Sequence, residues 1–388
     1  MVALGKIRVL HVLGALNPGG VETWLLHVMR HVDRSAFQID FLVHTNQPAV
    51  YDEEIRALGG RILACPDPHR PWRYARRFQE ILNEYGPYDV VHSHVHDYSG
   101  YVLRLARRAG VPVRIAHSHN DTTQFESQAG ILRKNYLALM KHWIQSHATV
   151  GLGCSQRAAA CLFGKDWKSD PRLKLLFCGI DLAPFQAADD GQRLRQELGI
   201  PAEAFVVGHV GRFNHQKNHR FLVEVFAEIA KRHPPSRLLL VGDGPLRPEI
   251  EQQVAAAGLN DKVIFAGLRR DVPRLMTGVM DAFLFPSHFE GLPIVLMETQ
   301  AAGLPCIVSD VIDEGATIIP SLMNRLSLAQ AAADWAEVTL ATRKDAAESA
   351  RTEAQRLVSE TPFNIRVCIE HLQQVYRTEL QAASAGGR

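Results

Sequence analysis

The run Phe205-Val-Val-Gly-His-Val-Gly-Arg212-Phe-Asn-His-Gln-Lys217-Asn218, continuing through Arg232 and ending at Arg237-Leu-Leu-Leu-Val241, decides the fold. A short β-branched stretch ends in a glycine and two cations. A segment with helical apolar spacing follows over Asn218–Arg232, then a second continuous apolar run over Arg237–Val241. The alternation goes on. Helices are expected at Arg247–Ala257, Val272–Gly278 and Pro293–Ala302, and strands at Lys262–Ala266, Ala282–Phe285 and Pro305–Ser309. Apolar strands separated by helices spell a parallel sheet with right-handed crossovers.

The first half repeats the pattern. Strands are expected at Ile7–Leu13, Phe37–His44, Arg61–Ala64, from Val90, at Val111–His117, at Ala148–Cys154 and at Leu173–Leu176, with helices between them. Residues 170–204 read as a junction, and Ser327–Leu380 as helical and alanine-rich. The fold class is α/β: two Rossmann-like, doubly wound domains facing across a cleft. The expected domains are 1–180 and 181–362, with a C-terminal helix over 363–388. In such sheets ligands bind beyond the carboxyl ends of the strands.

Composition narrows the class. The chain has 388 residues, 46% hydrophobic and 22% charged, the profile of a water-soluble globular protein. Its glycine and proline share is average, which excludes collagen-like and disordered chains. The longest apolar runs fall far short of the ~20 residues of a membrane-spanning helix. Met1–Lys6 does not read as a secretory leader. Six cysteines without a CxxC pair argue against a zinc site or a disulfide framework and fit a reducing compartment. The expected location is cytoplasmic. A net charge of +7 over residues 1–180 against −5 over 181–388 suggests attraction of the first half to anionic surfaces, a peripheral membrane contact included. A solvated mixed-charge face is the simpler reading of the same count. Nucleic acid is not expected, since no aromatic residues interleave with the arginines in a binding motif.

Three segments carry chemistry. Gly14–Thr23, with Gly19 and Gly20, lies between a strand and a helix, where backbone N–H groups can approach phosphate. Its spacing is neither the dinucleotide fingerprint nor a P-loop, and a plain tight turn fits as well. Arg212 leaves a strand end and Lys217 enters the next helix. A guanidinium fork and an ammonium point charge together suit a diphosphate, or are two surface charges. Glu290-Gly291-Leu292-Pro293 precedes a helix that carries Glu298. Its N–H groups, apart from Pro293, which has none, are free for an anion, and Glu298 on an apolar helix needs a partner such as a ribose diol; a capping carboxylate plus a solvent-facing glutamate is the other reading.

These segments, in this order, resemble family 4 glycosyltransferases of the GT-B fold, of the bacterial exopolysaccharide and capsule-cluster type. The matching stretches are Gly19–Glu22, Asp89–His94, Ile115–Asn120, Gly211–Asn218, Leu240–Pro245, Val263–Gly267 with Asp271–Pro273, and Glu290-Gly-Leu-Pro…Glu298, which looks like the family's E-x7-E motif. The resemblance implies a retaining transfer from a nucleotide-diphosphate sugar to a glycan or lipid-linked hydroxyl in polysaccharide biosynthesis. It implies no metal and no cofactor. Arg212 and Lys217 would hold the diphosphate, aided by Gly291, Leu292 and Pro293. Glu298 would hold the ribose, Glu290 the donor sugar, and Gly19 and Gly20 would approach the phosphate. The implied catalytic set is Glu290, His119, Arg212 and Lys217. The His117/His119 pair matches the loop where the family places a histidine near the reacting sugar, and His119 is preferred. His94 is a weaker candidate.

His92, His94, His96 and Asp97 tempt a metal reading, since alternate strand residues share a face; the same segment matches the family's strand-end motif. Cys178-Gly-Ile-Asp181 departs from the family's usual asparagine at the first position. Two other readings remain: a nucleotide-sugar epimerase of the same fold, and a nucleotide-sugar-binding scaffold without turnover.

Overall fold

The computed structural model describes residues 5–123, 126, 128–186, 190–342 and 348–385. The chain divides into two units. One spans residues 1–179 and 365–388, and the other spans 180–364.

The first unit is built on a seven-stranded sheet. Its strands are β1 (Ile7–Leu13), β2 (Phe37–Val43), β3 (Ile62–Ala64), β4 (Val90–Ser93), β5 (Val113–Ser118), β6 (Val150–Gly153) and β7 (Leu173–Leu175). Every pairing is parallel, in the order β3-β2-β1-β4-β5-β6-β7. The inner strands are almost wholly buried, as a sheet covered on both faces requires, and the edge strands β3 and β7 are half-buried. Helices Pro71–Tyr85 and Ser99–Arg108 bury Tyr74, Phe78, Ile81, Val102 and Leu103 against one face. The helix Gly20–His31 buries Trp24, Leu25 and Val28. The C-terminal helix Ile365–Ala385 also belongs to this unit and packs against Gly20–His31 and β5. Trp24 Nε1 donates to Cys368 Sγ at 3.2 Å, and that thiol donates to the carbonyl of Phe177 at 3.0 Å.

The second unit holds a six-stranded parallel sheet ordered β10-β9-β8-β11-β12-β13. The strands are β8 (Val206–Val210), β9 (Arg237–Val241), β10 (Val263–Gly267), β11 (Ala282–Phe285), β12 (Cys306–Ser309) and β13 (Met323–Leu326). Phe226, Ile229, Leu238, Leu240, Leu284 and Trp335 form its core. The alternation read from the sequence recovers twelve of these thirteen strands to within two or three residues. The strand it misses is β13, four half-buried residues at a sheet edge with no continuous apolar run. The helix Ile294–Ala301 begins one residue after the expected start, with Pro293 as its cap.

Both sheets share one device. In each, the chain leaves the central strand in one direction and then returns to that strand's other side. β1 and β4 are therefore neighbours, as are β8 and β11. At such a switch point the loops at the strands' carboxyl ends part and leave a crevice.

Candidate functional site

At the second switch point the loop after β8 carries Arg212, Gln216 and Lys217, and the loop after β11 carries Glu290. Strand pairing continues just past the strand ends: Gly211 N donates to Val241 O at 2.9 Å and Gly242 N to Gly267 O at 2.8 Å. Gly242 has φ +135°, and a Cβ there would strike the carbonyl oxygen of Gly211, so only glycine allows these loops to meet. The Asn214 side chain caps the turn His215–Lys217 by accepting from Lys217 N at 3.2 Å. Asn218 turns the chain through the left-handed region, φ +54°, into the helix His219–Arg232. His288 N donates to Gln216 O at 2.8 Å, which pins the β11 loop to the β8 loop.

This scaffold joins two of the expected site residues directly. Lys217 Nζ lies 2.7 Å from Glu290 Oε1, with both side chains largely buried. The other carboxylate oxygen accepts from Gln216 Nε2 at 2.9 Å. The ammonium also sits 4.6 Å from the centre of the Phe285 ring, a cation–π contact. Gln216 and Phe285 were not singled out from sequence. Arg212 is exposed and has no hydrogen bond or ion pair from its guanidinium among the described residues. The mouth therefore holds a paired cation and an unpaired one.

Gly291, Leu292 and Pro293 are buried and lead into the helix Ile294–Ala301. Among the described residues no acceptor takes the N–H of Gly291, Leu292 or Ile294. These donors, with the helix dipole behind them, favour an anion. Glu298 is half-buried one turn into that helix, and its carboxylate has no hydrogen bond or ion pair among the described residues. Loss of hydration raises its carboxyl to about 7.

The first unit's switch point is different in kind. Gly19 caps the helix Gly20–His31 in an extended conformation, and Gly20 is its first residue. Beside them the expected His94, His117 and His119 lie among other imidazoles. His11 on β1 is the register partner of His92 on β4. Alternate residues of β4 and β5 and of their extensions then bring His94, His117 and His119 to the same face. His94 Nδ1 is 2.9 Å from His119 Nε2, and His11 Nδ1 is 2.8 Å from His94 Nε2. His92 Nε2 is 3.1 Å from His117 Nδ1. Burial holds all five well below the ordinary imidazole value, His11 and His119 at about 3. They are neutral at physiological pH. His117 has no exposed surface, while His119 is partly open to solvent.

The run His92, His94, His96, Asp97 does not stay together. His92 and His94 join the five-histidine group, whereas His96 turns away at φ +48°. His96 Nε2 lies 2.9 Å from Thr122 Oγ1 and 3.8 Å from Glu126 Oε1, and Cys161 Sγ approaches that carboxylate at 3.6 Å. His11 and His92 escape notice as a pair until the β1–β4 neighbourhood is known. Two close histidines on each of two strands were the legible part.

Residues 19–171 match the "Glycosyl transferase 4-like domain" family and residues 190–339 match "Glycosyl transferases group 1". The "Putative glycosyltransferase EpsF" of Bacillus subtilis (strain 168) is 38% identical over 375 residues, covering 95% of this chain and 96% of that one. The UDP-Gal:alpha-D-GlcNAc-diphosphoundecaprenol alpha-1,3-galactosyltransferase of Escherichia coli is 27% identical, covering 79% of this chain and 80% of that one. Among solved structures, Anabaena HepE in complex with UDP and glucose superposes with a TM-score of 0.79 at 18% identity, covering 96% and 100% of the two chains.

Proposed function

The chain belongs to the group 1 glycosyltransferases with a 4-like N-terminal domain, and on that premise we propose a retaining transfer from a nucleoside-diphosphate sugar to a hydroxyl of a lipid-linked glycan. One observation carries the reading: the Lys217–Glu290 pair stands at the same strand-end mouth as the uncompensated Arg212. Lys217 has three hydrogens and gives one to Glu290. The rest face a diphosphate, together with the Arg212 fork and the free N–H groups before the helix Ile294–Ala301. As the sugar–phosphate bond breaks, negative charge grows on the leaving diphosphate, and these fixed donors stabilise it without reorganising.

Glu290 has both oxygens engaged, which fixes its orientation. Its remaining lone pairs accept from hydroxyls of the donor sugar. Glu298, ionised, takes the two O–H groups of a ribose. With a leaving group activated in this way, the acceptor hydroxyl attacks from the face that the diphosphate leaves. No enzymic nucleophile is invoked. The catalytic role expected of His119 is part of this proposal.

The relatives' names favour a uridine nucleotide and a lipid diphosphate acceptor. The test is a thermal-shift panel of UDP, GDP, ADP and their hexose conjugates without added metal, followed by product analysis with lipid-linked acceptors. A selective rise with UDP sugars and a product of unchanged anomeric configuration are expected. No shift with any nucleotide, or conversion of the sugar nucleotide without an acceptor, would overturn the assignment.

The acceptor class also bears on the surface of the first unit. Helix Ile131–His147 exposes Ile131, Leu132 and Leu139 beside Arg133 and Lys134, and Trp72 is 87% exposed at the start of Pro71–Tyr85. No helix among the described residues is long and apolar enough to cross a membrane. Apolar tips among cations suit the surface of an anionic bilayer. In liposome flotation the protein should rise with anionic vesicles and stay down with neutral ones. The pair Ile131→Ser and Leu132→Ser should weaken recovery. Equal recovery from both vesicle types would remove the membrane contact.

A further inference from the structure

The five imidazoles of the first unit are not a loose cluster. They form one line, with a tyrosine in the middle. His117 Nδ1 meets His92 Nε2 at 3.1 Å, and His92 Nδ1 meets Tyr376 Oη at 2.8 Å. Tyr376 Oη lies 3.4 Å from His11 Nε2, and His11 Nδ1 lies 2.8 Å from His94 Nε2. His94 Nδ1 then meets His119 Nε2 at 2.9 Å, and His119 Nδ1 faces Cys178 Sγ at 3.7 Å. Each contact joins the Nδ1 of one ring to the Nε2 of the next, with the phenol as the single interruption.

A neutral imidazole has one N–H and one bare nitrogen, and a phenol has one O–H. Along such a line the hydrogens must all point the same way, because any reversal sets two N–H groups or two lone pairs against each other. Only two arrangements satisfy every link: all five rings protonated on Nδ1, or all five on Nε2. The ends tell the two apart. His117 Nε2 has no hydrogen-bond partner of good geometry, while the Leu176 backbone favours a hydrogen on that ring. At the other end the Cys178 sulfur can accept from His119 Nδ1 or donate to it. In either arrangement the hydrogens run in one direction from His117 to His119.

We infer that Tyr376, on the C-terminal helix, is a positioning residue that fixes the tautomer of His119 through this line. With Nε2 of His119 filled by His94, Nδ1 is its only ring nitrogen not committed to another imidazole. The all-Nδ1 arrangement makes that nitrogen a donor toward a substrate oxygen, held meanwhile only by a long contact to sulfur. The opposite arrangement makes it an acceptor. Removing the phenolic hydroxyl cuts the line into a pair, His117–His92, and a triple, His11–His94–His119, each free to reverse. Tyr376 thus acts without touching His119. The consequence for turnover rests on the reading of His119 as facing the donor sugar; the tautomer order does not.

The test uses the full chain labelled with 15N-histidine. Long-range 1H–15N spectra of the wild type should show all five rings protonated on the same ring nitrogen, all Nδ1 or all Nε2. Opposed tautomers within the line, His119 on Nε2 with His117 on Nδ1, overturn the inference before any variant is made. In Tyr376→Phe, which keeps the ring and loses the hydroxyl, His119 should show both tautomers. kcat should fall at least about tenfold, since a catalytic imidazole in the wrong tautomer loses much of its effect. The donor KM should stay unchanged. A single unchanged His119 tautomer in Tyr376→Phe overturns the inference even if activity falls. Scrambled tautomers in a protein that turns over no sugar nucleotide in either form would uphold the line and fail the transferase reading of His119.

Discussion

The two switch points occupy equivalent places in two sheets of like topology, yet they are furnished oppositely. At β8/β11 the mouth is charged: an exposed guanidinium, a half-buried ammonium and a carboxylate that accepts from two side chains. At β1/β4 the mouth is neutral: five imidazoles that share hydrogens and carry no net charge. The difference follows from the work proposed for each. A leaving diphosphate needs fixed positive charge. An acceptor hydroxyl or sugar ring needs oriented hydrogens, and a charged imidazolium beside it would compete for the phosphate. The fold supplies the crevice, and the side chains decide what it is for.

The comparison breaks most visibly at Lys217. Lys217→Ala should lower kcat/KM by about two orders of magnitude or more, the ~3 kcal/mol cost of one lost donor to developing charge. Part of that loss comes from stranding Glu290, so Lys217→Ala/Glu290→Gln should cost less than the sum of the single variants. Steady-state kinetics with a fixed acceptor read both. Strict additivity would mean the pair is not a functional unit. Donor KM should also rise with ionic strength, and Arg212→Ala should flatten that rise, since exposed charge is screened.

The neutral mouth should respond to different changes. His119→Ala should lower turnover at least about tenfold with the smaller loss of melting temperature, because the ring is partly exposed and only one nitrogen of His94 loses its partner. His117→Ala should do the reverse. His117 is fully buried and stacked on His92 at 5.2 Å. Its loss leaves His92 Nε2 unpaired in the interior, at about 1–3 kcal/mol of stability. Thermal melts and kinetics on the two variants separate the roles. Identical profiles would erase the distinction between them.

How far each mouth was legible in the sequence differs for the same physical reason. The charged mouth is local. Arg212, Lys217, Glu290 and Glu298 sit at strand ends and helix starts that glycines and proline mark, so spacing placed them in the fold, and the family resemblance suggested their roles. The neutral mouth is assembled at long range. His11 meets His92 only because β1 and β4 are neighbours, and Tyr376 meets His92 across 284 residues of chain. Nothing in the spacing of either residue announces the contact. The same limit hid β13, whose pairing with β12 is made by position at the sheet edge and not by an apolar run.

The smallest expected effect is the most specific. Glu298 has lost hydration without gaining a partner, so its carboxyl titrates at about 7 and not at the ordinary value of 4.5. A folded group that prefers to be neutral gives stability at low pH and loses it as pH rises toward its folded value. The ligand-free protein should therefore melt at progressively lower temperature between about pH 4.5 and 7, and Glu298→Gln should remove that component of the slope. Donor binding should run the other way. A ribose diol donates two hydrogens and needs the ionised carboxylate. The competent fraction grows from roughly a tenth at pH 6 to nine-tenths at pH 8, which tightens apparent affinity up to about ninefold. Calorimetric titration of the nucleotide at the two pH values, in wild type and in Glu298→Gln, reads this directly. Equal pH dependence in both proteins would show that Glu298 does not hold the ribose. The charged mouth would then reduce to the diphosphate clamp of Arg212, Lys217 and the helix N–H groups.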